Sequence, residues 1–249
     1  MMFKELIVAV SLTLTVFSPF ALAAPEAASS ASSKRPNSPW NAAYPEKTAA
    51  LTLLGDAKAG EDTYQTYCAA CHLPSGGGDP DGGIPQLAGQ HRTVLIKQLA
   101  DIRAGVRDNP AMYPFAIELP DAQALADVAT YIETLCIPRG AGQYEAPDAA
   151  EQIAYGKRLF EKECSLCHGL TGDGMQEKFY PVLAGQHYAY LLRQLADIRA
   201  GKRGNAHPTM VRLIAKYDNA QLVALSAYQA SLATRPRGWV TQPRFCAPE

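Results

Sequence analysis

The chain has 249 residues, 47% hydrophobic and 19% charged, with a formal net charge of −1 at pH 7. That composition belongs to a globular protein and excludes an intrinsically disordered or fibrous one. The near-neutral balance also lacks the basic patch that nucleic-acid binding requires, so no nucleic-acid partner is expected.

In chain order, Lys4, an apolar run from Leu6 to Phe17 and the small-x-small pattern Ala21-Leu22-Ala23 read as a secretory signal peptide over residues 1–23. The run is shorter than the ~20 apolar residues of a spanning helix, so cleavage before Ala24 is expected rather than an anchor. Nothing later in the sequence is long and apolar enough to span a bilayer, leaving at most peripheral membrane association. Export places the protein in an oxidising compartment, here the periplasm. Residues 24–54 read as a flexible leader and linker, the part to residue 39 being rich in Ala, Ser and Pro. Trp40, Tyr44, Leu51, Leu53 and Leu54 are then expected to lie against the domain that follows, as simple linker packing.

From here the chain repeats itself. Cys68-Ala69-Ala70-Cys71-His72 recurs as Cys164-Ser165-Leu166-Cys167-His168, an offset of 96. The same offset carries Leu87-Ala88-Gly89-Gln90-His91 onto Leu183-Ala184-Gly185-Gln186-His187, and the run QLADIRAG from Gln98 to Gly105 onto an identical run from Gln194 to Gly201. This is a domain duplication rather than a solenoid, because only two copies exist and each carries its own motif set. The boundaries expected are 55–143 for the first unit, 144–233 for the second and 234–249 for a C-terminal tail. Residues 55–143 hold 11 acidic and 6 basic residues and residues 144–249 hold 10 and 13, a net −5 against +3. Such a charge dipole suits docking of differently charged partners at the two ends.

Both copies read as all-α. A first helix is predicted over Lys58 to Tyr67 and Ile153 to Glu163, with Gly60 and Tyr64 (Gly156 and Phe160) on one face. A middle helix is predicted over Thr93 to Ala104 and Tyr188 to Ala200, stopped by Gly105 and Gly201. A final helix should start at the caps Asp121 and Asp218 and run to about Leu135 and Leu232, bearing Tyr131 and Tyr228. No stretch alternates with period two for long enough to argue a sheet.

The pentapeptide C-x-x-C-H is the attachment sequence for c-type haem: two thiols add to the porphyrin vinyl groups and the adjoining histidine is held under the iron. A redox dithiol or half a zinc site uses C-x-x-C as well, but here the histidine follows immediately, twice, in an exported chain. Two covalently bound haem c groups are therefore expected, on Cys68, Cys71 and His72 and on Cys164, Cys167 and His168. For the sixth iron ligand, Met112 lies 40 residues after His72 and Met210 lies 42 after His168. They occupy matching places before the final helix, whereas Met175 has no counterpart and His91, His187 and His207 are rivals with helix-start or surface roles of their own. A thioether raises the potential relative to two imidazoles. Pro85 and Pro181 are candidates for the carbonyls that orient the two proximal imidazoles. The glycine-rich stretch Gly76 to Gly83 lacks the lysine of a P-loop and the spacing of a calcium loop, and reads as a flexible turn. Cys136 and Cys246, left over after haem attachment, suggest a disulfide that closes the tail onto the end of the first unit.

The paired C-x-x-C-H units, the repeated L-A-G-Q-H and Q-L-A-D-I-R-A-G runs and the methionines preceding a final helix with Tyr131 or Tyr228 resemble the cytochrome c4 family of dihaem cytochromes. The resemblance covers about residues 57 to 233. It implies two tandem class I cytochrome c folds joined through a pseudo-twofold interface, rapid electron exchange between the haems, and electron delivery to a terminal oxidase. The expected function is that of a periplasmic single-electron carrier without catalytic residues. Its donor is expected to be a quinol–cytochrome c reductase or dehydrogenase, and its acceptor a terminal oxidase or reductase. The competing readings are the cytochrome subunit of a dehydrogenase such as a sulfide-oxidising flavocytochrome, and a dihaem peroxidase or thiosulfate-oxidising cytochrome. The first copy differs in its loop Pro74 to Gly83, read as longer than its counterpart.

Overall fold

A computed structural model describes residues 40–140, 142–232 and 246. The signal peptide, the leader before Trp40 and the tail apart from Cys246 lie outside the described residues. α1 (Pro45–Thr52) is followed in the first half by α2 (Ala57–Tyr67), α3 (Ala69–His72), α4 (Arg92–Arg103), α5 (Tyr113–Ile117) and α6 (Ala122–Thr134). The second half contains α7 (Ala149–Glu163), α8 (Ser165–His168), a 3-10 turn at Gln176–Lys178, α9 (Tyr188–Arg199), α10 (Pro208–Ile214) and α11 (Asn219–Ser231). No strand forms among the described residues; two isolated bridges, Asp79 with Ile84 and Met175 with Tyr180, occupy matching places.

The predicted helices form within four residues of their expected ends. Asp56 caps α2 by accepting from the Lys58 and Ala59 N–H groups, Asp121 caps α6 through Ala124 N–H, and Asp218 with Gln221 builds a full capping box on α11. α4 and α9 stop at Gly105 and Gly201, at φ +67° and +70°, a left-handed conformation that costs glycine nothing.

Each half is built on one close helix crossing. Gly60 of α2 sits against the Asp127 carbonyl of α6, and Gly156 of α7 against the Ala224 carbonyl of α11. The absence of a side chain lets the backbones touch, and flanking aromatic pairs seal the crossing: Tyr64 with Tyr131, centroids 5.4 Å apart, and Phe160 with Tyr228, 5.3 Å apart. The first core adds Ile96, Leu125, Val128 and Ile132, and the second adds Leu195, Ile214, Leu222 and Leu225.

Three expectations need correction. Residues 45–52, read as part of a flexible linker, form α1, which packs on α4 and α6 and buries Lys47 and Ala50. Its weak amphipathic pattern hid it, because its anchors are polar: Lys47 and Tyr44 both reach Asp101, at 3.2 and 2.5 Å, and Glu46 pairs with Arg103 at 2.7 Å. Trp40 does not rest on the first half alone, where Lys97 Nζ lies 5.4 Å from its ring centroid. Its ring lies 4.5 Å from His207 and 6.2 Å from Phe179 in the second, while Leu54 is left exposed. The loop after His72 is no longer than its counterpart, since His72 and Leu87 map onto His168 and Leu183 at the single offset of 96. Its hydrogen bonds match as well: Gly78 N–H donates to the His72 carbonyl and Gly174 N–H to the His168 carbonyl, both at 2.9 Å.

Cys136 and Cys246 are disulfide-bonded across 110 residues of sequence. The Cys246 N–H donates to the Ile137 carbonyl at 3.0 Å, adding a backbone tie beside the bridge.

Candidate functional site

In each half the first helix runs directly into the cysteine motif. Cys68 closes α2 through its N–H to the Tyr64 carbonyl, and one turn later His72 N–H donates to the Cys68 carbonyl at 2.9 Å. Cys164, Phe160 and His168 repeat the pattern. Two thiols and an imidazole thus occupy a single helical turn, the arrangement that addition to two vinyl groups of one ring demands.

Both imidazoles are held by a proline carbonyl. His72 Nδ1 lies 2.9 Å from Pro85 O and His168 Nδ1 lies 3.2 Å from Pro181 O. A carbonyl oxygen can only accept, so Nδ1 carries the proton and Nε2 keeps its lone pair for a metal. Burial depresses both pKa values, that of His168 to about 4, against the weaker opposing effect of the carbonyl. Both rings are therefore neutral at pH 7, the protonation state a ligand needs.

A continuous cavity of about 1120 Å³ joins the two halves and is lined by Cys68, Cys71, His72 and Met112 from one, and by Cys164, His168 and Met210 from the other. Cys167, part-buried, follows in the same turn but is not among the lining residues. The volume exceeds the roughly 300–1,000 Å³ of a single small-ligand pocket, as two occupants require. Met112 stands at the N-terminus of α5 and Met210 lies within α10, both part-buried. The identical QLADIRAG runs explain how these methionine segments are held. Arg103 donates to the Ala116 and Leu119 carbonyls beyond Met112, and Arg199 donates to the Tyr217 carbonyl beyond Met210.

The other candidates are placed differently. Met175 is exposed, and His207 caps α10 by accepting from Thr209 N–H at 3.0 Å. His91 and His187 are not surface groups: both are buried, neither caps its helix, and His91 Nε2 reaches the Asp173 carbonyl of the other half at 2.8 Å.

Sequence reasoning missed the polar seam between the halves. Arg107 donates to Gln98 at 2.8 Å and to Gln194 at 3.2 Å; Arg203 donates to Gln194 at 2.8 Å and to Gln98 at 3.3 Å. These contacts interchange under the offset of 96, as across a twofold interface where residue i meets j and j meets i. Burial, helped by Arg107, lowers the Arg203 pKa to about 10. Beside this pair, buried Lys97 contacts Asp101 at 2.6 Å, while Lys47 shares the same carboxylate. The signal was present in the repeated Gln-x-x-Asp of the QLADIRAG run, but it reads equally well as a solvated helix face.

The chemistry of this donor set fits haem. Burial pushes the Cys68 thiol up to about 11 and, with help from Glu163, the Cys164 thiol up to about 12. Such thiols stay protonated at neutral pH, unlike those of a reactive dithiol. The paired guanidiniums at the cavity wall match carboxylate-bearing substituents.

Comparison with known proteins agrees. Residues 153–233 match the family described as cytochrome c, and residues 55–132 that described as cytochrome c oxidase, cbb3-type, subunit III. The chain is 35% identical over 178 residues to cytochrome c4 of Pseudomonas aeruginosa, covering 70% of this chain and 87% of that protein. It is 34% identical over 177 residues to a thiosulfate dehydrogenase electron acceptor of Stutzerimonas stutzeri, covering 69% and 81%. The crystal structure of reduced recombinant cytochrome c4 from Pseudomonas stutzeri superposes with a TM-score of 0.59 at 34% identity, covering 70% of this chain and 97% of that one. The chain belongs to the cytochrome c4 family and is a dihaem c-type electron carrier with two covalently attached haem c groups.

Proposed function

We propose that the protein is a periplasmic shuttle that passes single electrons from a quinol–cytochrome c reductase or a dehydrogenase to a terminal oxidase or reductase. Cys68 and Cys71 anchor the first haem and His72 and Met112 bind its iron; Cys164 and Cys167 anchor the second, with His168 and Met210. The observation that carries this is the pair of imidazoles, each fixed through Nδ1 by a proline carbonyl with Nε2 left to ligate. Bound there, haem supplies a one-electron ferrous/ferric couple. The protein's share is to hold imidazole and thioether in place through both oxidation states and to keep water from the ring. Arg107 and Arg203, which line the cavity, would pair with the carboxylates of the bound group.

Exposed Tyr113, Phe115 and Ile117 beside Met112, and Leu166 and Leu170 beside the second motif, give each half an apolar contact region. With a net −5 in the first half and +3 in the second, the two regions suit differently charged partners. Export rests on the Ala21-Leu22-Ala23 pattern following an apolar run. The likeness to a thiosulfate dehydrogenase electron acceptor favours one second reading, in which the donor is a dehydrogenase of that kind.

A spectroelectrochemical titration with ligand-field readout tests the site assignment. Two one-electron couples, each with methionine–histidine ligation, are expected in the wild type. Met112→Ala and Met210→Ala should each open one ferrous iron to CO. A wild-type iron that binds CO freely, or methionine variants that change nothing, would overturn it.

A further inference from the structure

The peptide that fixes each proximal imidazole is itself fixed by the other half of the molecule. Pro181 O, which accepts from His168 Nδ1–H, belongs to the peptide unit that ends in Val182 N–H. That N–H donates to Gln90 Oε1 of the first half at 2.9 Å, and Gln90 Nε2 donates back to Val182 O at 3.0 Å. The mirror arrangement holds at the other site. Pro85 O accepts from His72, Gln86 N–H of the same peptide donates to Gln186 Oε1 at 3.1 Å, and Gln186 Nε2 donates to Gln86 O at 2.9 Å. Each glutamine oxygen is steadied by a second N–H, that of His91 at 3.1 Å or His187 at 3.0 Å. Gln86, Val182, Gln186 and the two histidines are buried and Gln90 is part-buried, so water has little access to these groups.

We infer that Gln90 and Gln186 are crossed positioning residues: each tunes the iron of the opposite half through a hydrogen-bond chain from side-chain amide to peptide to imidazole. This rests on His72 and His168 being the proximal ligands. A hydrogen bond at the N–H end of a peptide polarises it and makes its carbonyl a stronger acceptor, and chains of such bonds reinforce one another. The stronger acceptor draws on Nδ1–H and makes the imidazole a more basic donor to iron. A more basic ligand stabilises the ferric state and lowers the potential. Loss of the glutamine therefore raises the potential, and does so across the interface rather than in the half that was altered.

The test uses haem-loaded Gln90→Leu and Gln186→Leu, titrated with NMR detection so that each haem is followed through its own ligand resonances. Gln90→Leu should raise the second haem's potential, with an oxidised-to-reduced ratio changed about threefold at fixed ambient potential. That is about 28 mV at 59 mV per tenfold for one electron. The first haem should stay in place, and Gln186→Leu should do the reverse. In the ferrous protein the Nδ1–H resonance of the opposite histidine should move upfield, which mere loosening of the interface does not produce on one side only. Gln90→Glu, which keeps an oxygen on Val182 N–H, serves if the leucine variant does not fold; it should leave the second haem at or below its wild-type potential. Shifts of the same haem as the mutation, equal shifts of both, or none would overturn the inference. Failure of the ligand assignment itself would show separately, as wild-type protein lacking the two proximal histidine resonances.

Discussion

Gly156→Ala puts two rules of helix chemistry in opposition. On an isolated helix, alanine gains about 1 kcal/mol over glycine. At this position a methyl carbon would lie 1.9 Å from the Ala224 carbonyl oxygen, 2.5 Å from its carbon and 2.8 Å from Tyr228 Cβ, whereas ordinary contact begins near 3.4 Å. α7 and α11 must therefore part by about 1.5 Å. A gap of even 0.5–1 Å forfeits about a quarter to a half of the dispersion energy of each contact it opens, and the seam holds Phe160, Leu222, Leu225 and Tyr228. Overpacking costs about 1–3 kcal/mol and a 1.9 Å approach takes the upper end, so with the propensity gain of about 1 kcal/mol subtracted the expected net loss is about 2 kcal/mol. Because α7 runs straight into Cys164 and His168, the haem absorbance should broaden in the same variant. Urea unfolding of holo-protein, followed by far-ultraviolet circular dichroism and haem absorbance, measures both effects. Gly105→Ala is the control: no atom lies within 4 Å of its Cβ, but φ is +67°, so it should lose only the ~1–2 kcal/mol of a left-handed residue and leave the haem band alone. Gly156→Ala protein as stable as wild type would refute the close-crossing account.

Other outcomes follow from the same structure. Alkylation of unreduced protein should label neither Cys136 nor Cys246, and replacing both with serine should cost about 2–4 kcal/mol, since the bridge closes a loop of 110 residues. Cys68→Ala with Cys71→Ala should abolish cooperative unfolding of the first half by circular dichroism, because nothing else fills its share of the 1120 Å³ cavity. A native-like melt of that half without haem would contradict this. Burial lowers the Lys97 pKa to about 8, the nearby Asp101 only partly offsetting it. Between pH 8 and 10 the unfolded chain, with lysine near 10.5, holds more protons than the folded one, so stability should rise with pH across that window. Lys97→Met should flatten the rise in urea titrations; an unchanged slope would remove Lys97 as its source.

Much of this molecule is legible without coordinates. The haem number, the all-α class, the tandem halves and the proline carbonyls behind the histidines follow from residues close together in sequence: C-x-x-C-H fits within one helical turn, and an exact repeat of spacing exposes a duplication. Helix ends were readable because Asp121, Asp218, Gly105 and Gly201 act on their own neighbours. The disulfide was readable as a pairing of leftovers, though its closeness was not.

What only the tertiary structure decided lies where the two halves meet. Gln90 and Gln186 look like ordinary loop residues until each is seen gripping a peptide some 90 to 100 positions away. Arg107 and Arg203, Lys97 and Asp101 with Asn205 of the other half, and the seating of Trp40 on His207 belong to the same kind. Local patterning records which face of a helix is apolar, because burial on one's own core leaves a periodic trace. A polar group satisfied by a distant partner leaves none, since the same residue would be equally content in water. Assembly therefore settled the polar interface, while the haem-attachment motifs were already written in short, contiguous stretches.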